Sequence, residues 1–275
     1  MGSAILSGLL NATSLEESKD AGSLASMKFI ACTNSEKSAL ALQDKFGRHI
    51  SRVRILHKQN RAAVEEADVV VLGVKPYYVK DVLHEPGVRE ALAGKLVVSL
   101  VAGLSAKELQ SLMVSPTQNS DAATPYVARA IPNVAARYGQ SMTIVEKSDP
   151  PLPPQQESVL ALIFNSVGQV KTLDSSLVDV GSVLITMCLA SLTIPLDGLL
   201  DGAVVEGIPR HEAMELMTQG IIGLGTMLKN GSHLAVLRES ISSPRGCTIQ
   251  TLLALEREGT RIAFTDALLR GTQHL

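Results

Sequence analysis

The residues best suited to chemistry stand just past short apolar runs. Thr33-Asn34-Ser35 follows one such run and opens a helical pattern, where hydroxyls and bare backbone N–H groups can receive an anion. None of the three is acidic, and a carboxylate there would bond a ribose diol and repel a 2′-phosphate, so the turn favours NADP over NAD. An ordinary N-cap explains the same residues. Lys75, within Val74-Lys75-Pro76, can carry positive charge into a cofactor cleft or sit solvated in a loop. Ser243-Pro244-Arg245-Gly246-Cys247-Thr248 joins two helical patterns and offers N–H groups and hydroxyls to a carboxylate; a plain turn with Thr248 as cap is the alternative. The opening Met1-Gly2-Ser3-Ala4 reads as the back half of a G-x-G-x-x-G fingerprint, Gly2 being its last glycine, with the first strand and G-x-G not seen. Either a partner chain covers the resulting gap or the product starts upstream of Met1.

These groups need elements to hold them. Residues 28–32, 52–56, 67–74, 96–102 and 127–132 are short runs rich in apolar and β-branched residues, as in parallel strands covered on both faces. Helical spacing fills 35–46, 79–92 (interrupted by Pro86-Gly87) and 105–114. The expectation is a doubly wound, Rossmann-like α/β domain over residues 1–172, truncated at its first strand, and an all-helical domain over 173–275. Ligands of such a sheet bind beyond the carboxyl ends of the strands, which places Ala102, Gly103 and Asn133 beside the groups above. Thr13 to Ala25 reads as a mobile connection, and Pro150 to Pro154 as a linker or a rigid helix start. The glycines of Gly220-Ile221-Ile222-Gly223-Leu224-Gly225 suit close helix packing, within the chain or against a second subunit.

Composition narrows the partners. With 275 residues, 45% hydrophobic, the chain can build two modest cores. A formal charge of −2 and a pI near 6.3 give no attraction to nucleic acid or anionic membrane. The absence of Trp argues against base stacking. Cys32, Cys188 and Cys247 lack disulfide or zinc spacing and suit a reducing cytoplasm. The histidines have no ligand spacing, so no metal is expected. The apolar stretch Ala4–Leu10 is too short to span a membrane.

Taken together, Val71-Leu72-Gly73-Val74-Lys75-Pro76, Ser99-Leu100-Val101-Ala102-Gly103, Ile131-Pro132-Asn133, Leu200-Asp201-Gly202-Ala203, Gly207-Ile208-Pro209-Arg210 and Ser243-Pro244-Arg245-Gly246-Cys247-Thr248 resemble the pyrroline-5-carboxylate reductase family of fungal type, in order and nearly end to end. The resemblance implies a homodimer through the C-terminal helices and hydride transfer from NADPH to a cyclic imine carboxylate. It also implies that Thr33, Asn34 and Ser35 meet the adenosine 2′-phosphate and Asn60 the adenine side. Val74, Lys75 and Pro76 would line the cofactor path, and Ala102, Gly103 and Asn133 the nicotinamide end. Arg245, Gly246, Cys247 and Thr248 would hold the substrate, with Thr248 the candidate catalytic residue. The chain departs from the family at Pro132-Asn133-Val134-Ala135 for P-N-T-P, at Thr186-Met187-Cys188-Leu189-Ala190 for G-S-G-P-A, and at Arg245 for a glycine. These departures leave open a non-redox descendant acting as scaffold, binding protein or cofactor-free catalyst.

Overall fold

The computed structural model describes residues 1–12, 26–114 and 123–274. The expectation for Thr13 to Ala25 lies outside the described residues. The chain divides into two compact units, Met1–Ser182 and Val183–His274.

The first unit carries the strands. β1 (Phe29–Thr33) and β2 (Val53–His57) pair in parallel as one sheet, with Phe29 opposite Val53. β3 (Val69–Leu72), β4 (Leu96–Ser99) and β5 (Tyr126–Ile131) run parallel in a second sheet. β6 (Ser141–Glu146) returns antiparallel to β5, and β7 (Gly168–Leu173) lies parallel to β6. All five apolar runs form strands; β6 and β7 are additional. Residues 132–140 are too few for a crossover helix, so β6 can join the sheet only by reversing direction.

A doubly wound sheet has the order 3-2-1-4-5-6. Here β2-β1 and β3-β4-β5 reproduce its two flanks, and the sheet is broken where strand 1 would lie. Val71 on β3 remains 40% exposed although its neighbours across β4 are buried. Helix α1 (Gly2–Ala12) ties the two sheets together. Ala4, Ile5 and Leu9 join the cluster that reaches Phe29 and Val69, while Leu6 and Leu10 pack with Phe46 and Val53. This i, i+4 spacing turns two adjacent stripes of one helix toward two sheets.

The remaining helices of this unit are α2 (Glu36–Phe46), α3 (Asn60–Glu66), α4 (Val79–Leu83), α5 (Val88–Ala91), α6 (Ala106–Met113) and α7 (Pro154–Asn165). Gly87, with φ +83°, separates α4 from α5, as the Pro86-Gly87 pair implies. Lys95 Nζ donates to the carbonyls of Val64, Glu65 and Ala67, closing the end of α3 just before β3. α6 begins with a capping box, in which Ser105 Oγ accepts from Glu108 N and the Glu108 carboxylate accepts from Ser105 N. The Ser105 backbone N–H, and then its hydroxyl, hold the Glu108 carboxyl below its ordinary pKa. Ser105→Ala is expected to cost about 1 kcal/mol at neutral pH in urea denaturation. A depressed carboxyl pKa stabilises above the unfolded value and ceases to do so as pH falls through the folded one. The deficit should therefore narrow below about pH 4.

One charged cluster is buried in this unit. Arg129 on β5 is 2% exposed and pairs with Glu146 on β6 at 3.6 Å, and with Asp179 on α8 (Ser175–Ala190). Ser175 Oγ donates to Glu146 at 2.9 Å. These bonds fasten the first turns of α8 to the sheet, which is why the unit extends to Ser182, inside the helix and past the expected 172/173 boundary.

The second unit is helical throughout its described residues. After α8 come α9 (Thr193–Val205), α10 (Arg210–Lys229), α11 (Leu234–Ser240), α12 (Cys247–Arg257) and α13 (Thr260–Gln273). Gly207 at φ +98° and Pro209 at the N-cap of α10 make the expected break, where Arg210 bonds Asp197 at 3.1 Å and also Asp201. Large apolar side chains stand in the open, Ile194, Val205 and Leu216 among them. No described atom lies where a Cβ on Gly220, Gly223 or Gly225 would touch it, so intrachain packing does not occupy that stripe. Ser175–Val205 is long and apolar enough to cross a membrane, with mean hydropathy 2.0, and little of it is buried within the chain.

Candidate active site

The turn after β1 is fixed from both sides. Thr33 Oγ1 donates to Ser35 O at 3.2 Å, and Ser35 caps α2 by accepting from Ser38 N at 3.2 Å. Lys58 N donates to Thr33 O at 2.9 Å, and His57 Nε2 lies 3.2 Å from Asn34 O. Asn34 and Ser35 remain exposed, with the first-turn N–H groups of α2 beside them. The capping role and an anion-binding role are thus compatible here. Asn60, the first residue of α3, donates from Nδ2 to Glu85 at 2.8 Å.

Glu85 is the residue that sequence reading passes over. It follows α4, far along the chain from the turn, yet its carboxylate bonds Asn60 and bears on Cys32 at the end of β1. Burial is the main cause that pushes the Cys32 thiol up, and Glu85 adds to it. Glu36 also opens α2. The absence of acid at positions 33–35 therefore does not leave the rim free of carboxylates.

Past β3, Val74, Lys75 and Pro76 lead into a 3-10 turn, Pro76–Tyr78. Lys75 is exposed and has no carboxylate partner among the described residues. Past β4, Ala102 and Gly103 form a turn in which Gly103 takes φ +73°. Past β5, Asn133 is buried and committed. Its Oδ1 accepts from Ala135 N at 2.9 Å, its Nδ2 donates to Met142 O at 3.3 Å, and its N–H donates to Ser141 Oγ at 3.1 Å. Asn133 thus shapes the turn that sets Val134 in the open, 54% exposed. At α1, Ala4 N and Ile5 N both donate to Met1 O, and nothing lies within 4 Å of a Cβ on Gly2.

The remaining candidates belong to the second unit. Arg245 adopts φ +60°, a left-handed conformation that costs a non-glycine residue about 1–2 kcal/mol. Gly246 caps α12 with extended backbone, and a Cβ there would meet the Ser243 hydroxyl, so a larger residue requires Ser243 to turn away. Cys247 and Thr248 form the first turn of α12, and the Thr248 hydroxyl has no partner among the described residues. A cavity of about 550 Å³ opens between α11 and α12, bordered by Arg238, Arg245, Ser242 and Ser243. Residues 33–35, 74–76 and 102–103 thus each follow the carboxyl end of a parallel strand in the first unit, Asn133 is taken up by its own turn, and the expected substrate residues lie around one loop of the second unit.

Comparison with known proteins gives this arrangement a lineage. Residues 175–275 match the family model described as pyrroline-5-carboxylate reductase dimerisation. Residues 1–103 match that of NADP oxidoreductase, coenzyme F420-dependent. The chain is 35% identical to a pyrroline-5-carboxylate reductase of Lophium arboricola, over 99% of its own length and 88% of the relative's. It is 32% identical to that of Schizosaccharomyces pombe, over 99% and 94%. The chain belongs to the pyrroline-5-carboxylate reductase family. Among solved structures, the pyrroline carboxylate reductase of Plasmodium falciparum, with NADP bound, superposes with a TM-score of 0.79 at 21% identity, covering 100% of this chain and 92% of that one. The Streptococcus pyogenes enzyme gives 0.78 at 21%, covering 100% and 93%. These likenesses establish a Rossmann-like domain followed by helices as the family fold. They also give the exposed apolar helices of the second unit a family context, since the dimerisation model spans them.

Proposed function

We propose that the chain is an NADPH-dependent reductase of cyclic imine carboxylates, with 1-pyrroline-5-carboxylate as its reference substrate. The observation that carries this reading is that Thr33-Asn34-Ser35, Lys75 and Ala102-Gly103 each follow the carboxyl end of a parallel strand, β1, β3 and β4, in a chain of this family. The residues present suit a dinucleotide. The start of α1 at Gly2 can take the pyrophosphate, the start of α2 with Ser35 the 2′-phosphate, and Lys75 adds a cation without a carboxylate of its own. When bound, the nicotinamide supplies a hydride to the C=N carbon.

The chain's own work is positioning. The first-turn N–H groups of α12 hold the substrate carboxylate, and the unengaged Thr248 hydroxyl is available to the imine nitrogen that must carry a proton. The exposed apolar helices of the second unit pair with a second copy, giving a homodimer, and the protein works in the cytoplasm. The test is to follow nicotinamide absorbance with purified protein, NADPH and 1-pyrroline-5-carboxylate. Oxidation dependent on the imine is expected. Calorimetry with NADPH alone separates this reading from a descendant that keeps the fold without the nucleotide.

Preference for NADPH is set at the rim of the turn after β1, where Ser35 favours the 2′-phosphate and Glu85 opposes it. Glu85→Gln is expected to raise the ratio of NADH to NADPH dissociation constants about two- to fivefold, the size of an exposed charge interaction. An unchanged ratio means that Glu85 does not face the phosphate.

A further inference from the structure

The backbone carbonyls of the turn after β1 are all taken. Thr33 O accepts from Lys58 N at 2.9 Å, Ser35 O accepts from Ala39 N at 3.1 Å, and His57 Nε2 lies 3.2 Å from Asn34 O. A carbonyl only accepts, so that ring nitrogen carries the proton. What the backbone of the turn leaves open is therefore N–H and not oxygen. Register sets His57 opposite Thr33, so Lys58 comes level with Asn34. The Lys58 side chain is exposed and has no ion-pair partner among the described residues. Its backbone is left-handed, at φ +52°. The bond to Thr33 O accounts for that bend in the chain but not for a lysine there, since glycine or asparagine takes the conformation more readily. Charge completes the argument. Glu36 and Lys37 open α2, and Glu85 is bonded by Asn60, two residues beyond Lys58. Arg61 is engaged by Glu65. Among these described groups the carboxylates of Glu36 and Glu85 are matched by Lys37 and Lys58, and without Lys58 the rim is negative.

We propose that Lys58 is the residue that decides for a 2′-phosphorylated dinucleotide, its ammonium pairing with the phosphate that the first-turn N–H groups of α2 also bond. This rests on the dinucleotide reading above. N–H groups and hydroxyls accept either a ribose hydroxyl or a phosphate beside them, whereas a cation level with the turn favours the phosphate alone. An ammonium acts as a point charge and needs no fixed fork, which suits an exposed side chain at the end of a strand.

Binding to the full chain, without nicotinamide or imine, tests this apart from catalysis. The probes are adenosine 2′,5′-bisphosphate and AMP, which differ by the 2′-phosphate alone, titrated in a calorimeter at neutral pH. The bisphosphate is expected to bind about tenfold more tightly, the gain from one charged hydrogen-bonded pair. Lys58→Gly suits the backbone at φ +52° and keeps the N–H that bonds Thr33 O, so the turn should stand. In that variant the preference should fall to about twofold, with the affinity for AMP unchanged. Lys37→Gln removes the same charge from the first turn of α2 and should cost at most about twofold, the size of a screened exposed charge. Equal binding of the two probes by the unaltered chain, no measurable binding of the bisphosphate, undiminished preference in Lys58→Gly, or an equal loss in Lys37→Gln overturns the assignment. A parallel loss of AMP binding in Lys58→Gly also overturns it, by making Lys58 a support of the turn. Preference for the bisphosphate without imine-dependent oxidation of NADPH leaves Lys58 standing and removes the reductase reading. Imine-dependent oxidation without preference between the probes does the reverse.

Discussion

Arg129→Met is expected to lower the stability of the first unit by about 3–5 kcal/mol, measured by chemical denaturation at neutral pH. The substitution keeps the volume of the side chain but leaves Glu146 buried without its cation, at 6% exposure. Asp179 contributes less to the loss, because its side chain is 37% exposed and water can solvate it. The larger cost is desolvation of an orphaned carboxylate, so adding Glu146→Gln to Arg129→Met should recover a substantial part of it. A double variant no more stable than the single one would assign the cost to lost packing. The first turns of α8 should respond too, since Ser175 and Asp179 are the residues that anchor them. Amide exchange at 175–182 should accelerate more than at β4.

Gly8→Val should cost about 3 kcal/mol, the upper end for an overpacked core. A Cβ at position 8 would overlap the carbonyl oxygen of Ala136 and the Val167 side chain. The first obstacle is backbone, which no rotamer change can move. Because α1 packs on both sheets at once, displacing it weakens the cluster around Phe164 and the one around Phe46 together. The variant should therefore unfold in one transition at lower denaturant. Loss of β1-β2 alone, with β3-β7 intact, would show that α1 does not couple them.

Much of this was legible in sequence because it depends on local pattern. The apolar runs at 28–32, 52–56, 67–74, 96–102 and 127–132 mark buried parallel strands by their length and β-branched content, and all five form. Pro86-Gly87 and Gly207-Ile208-Pro209 break helices by backbone chemistry that needs no tertiary context. β6 and β7 were less visible. β7 has no buried residue, only half-buried and open positions with a lysine among them, and what makes it a strand is its register with β6. Arg129 left a signal that can be read in retrospect, a charge within the apolar run Val127–Ile131. Its partners Glu146 and Asp179 are distant in sequence, so the cluster could not be drawn before folding.

The sequence by itself determined the family, the doubly wound pattern and the loops that follow the strands, because strand periodicity, glycine and proline positions and short motifs are properties of neighbouring residues. Only the tertiary structure decided which side chains share a space. It brought Glu85 onto the rim of the turn after β1, committed Asn133 to its own turn, and placed Arg238 across a cavity from Arg245. It also divided the sheet at the position of strand 1 and made α1 the link between the two parts. The physical reason is the same throughout. Electrostatic and packing energies depend on distances between residues far apart in the chain, and those distances exist only once the elements have docked.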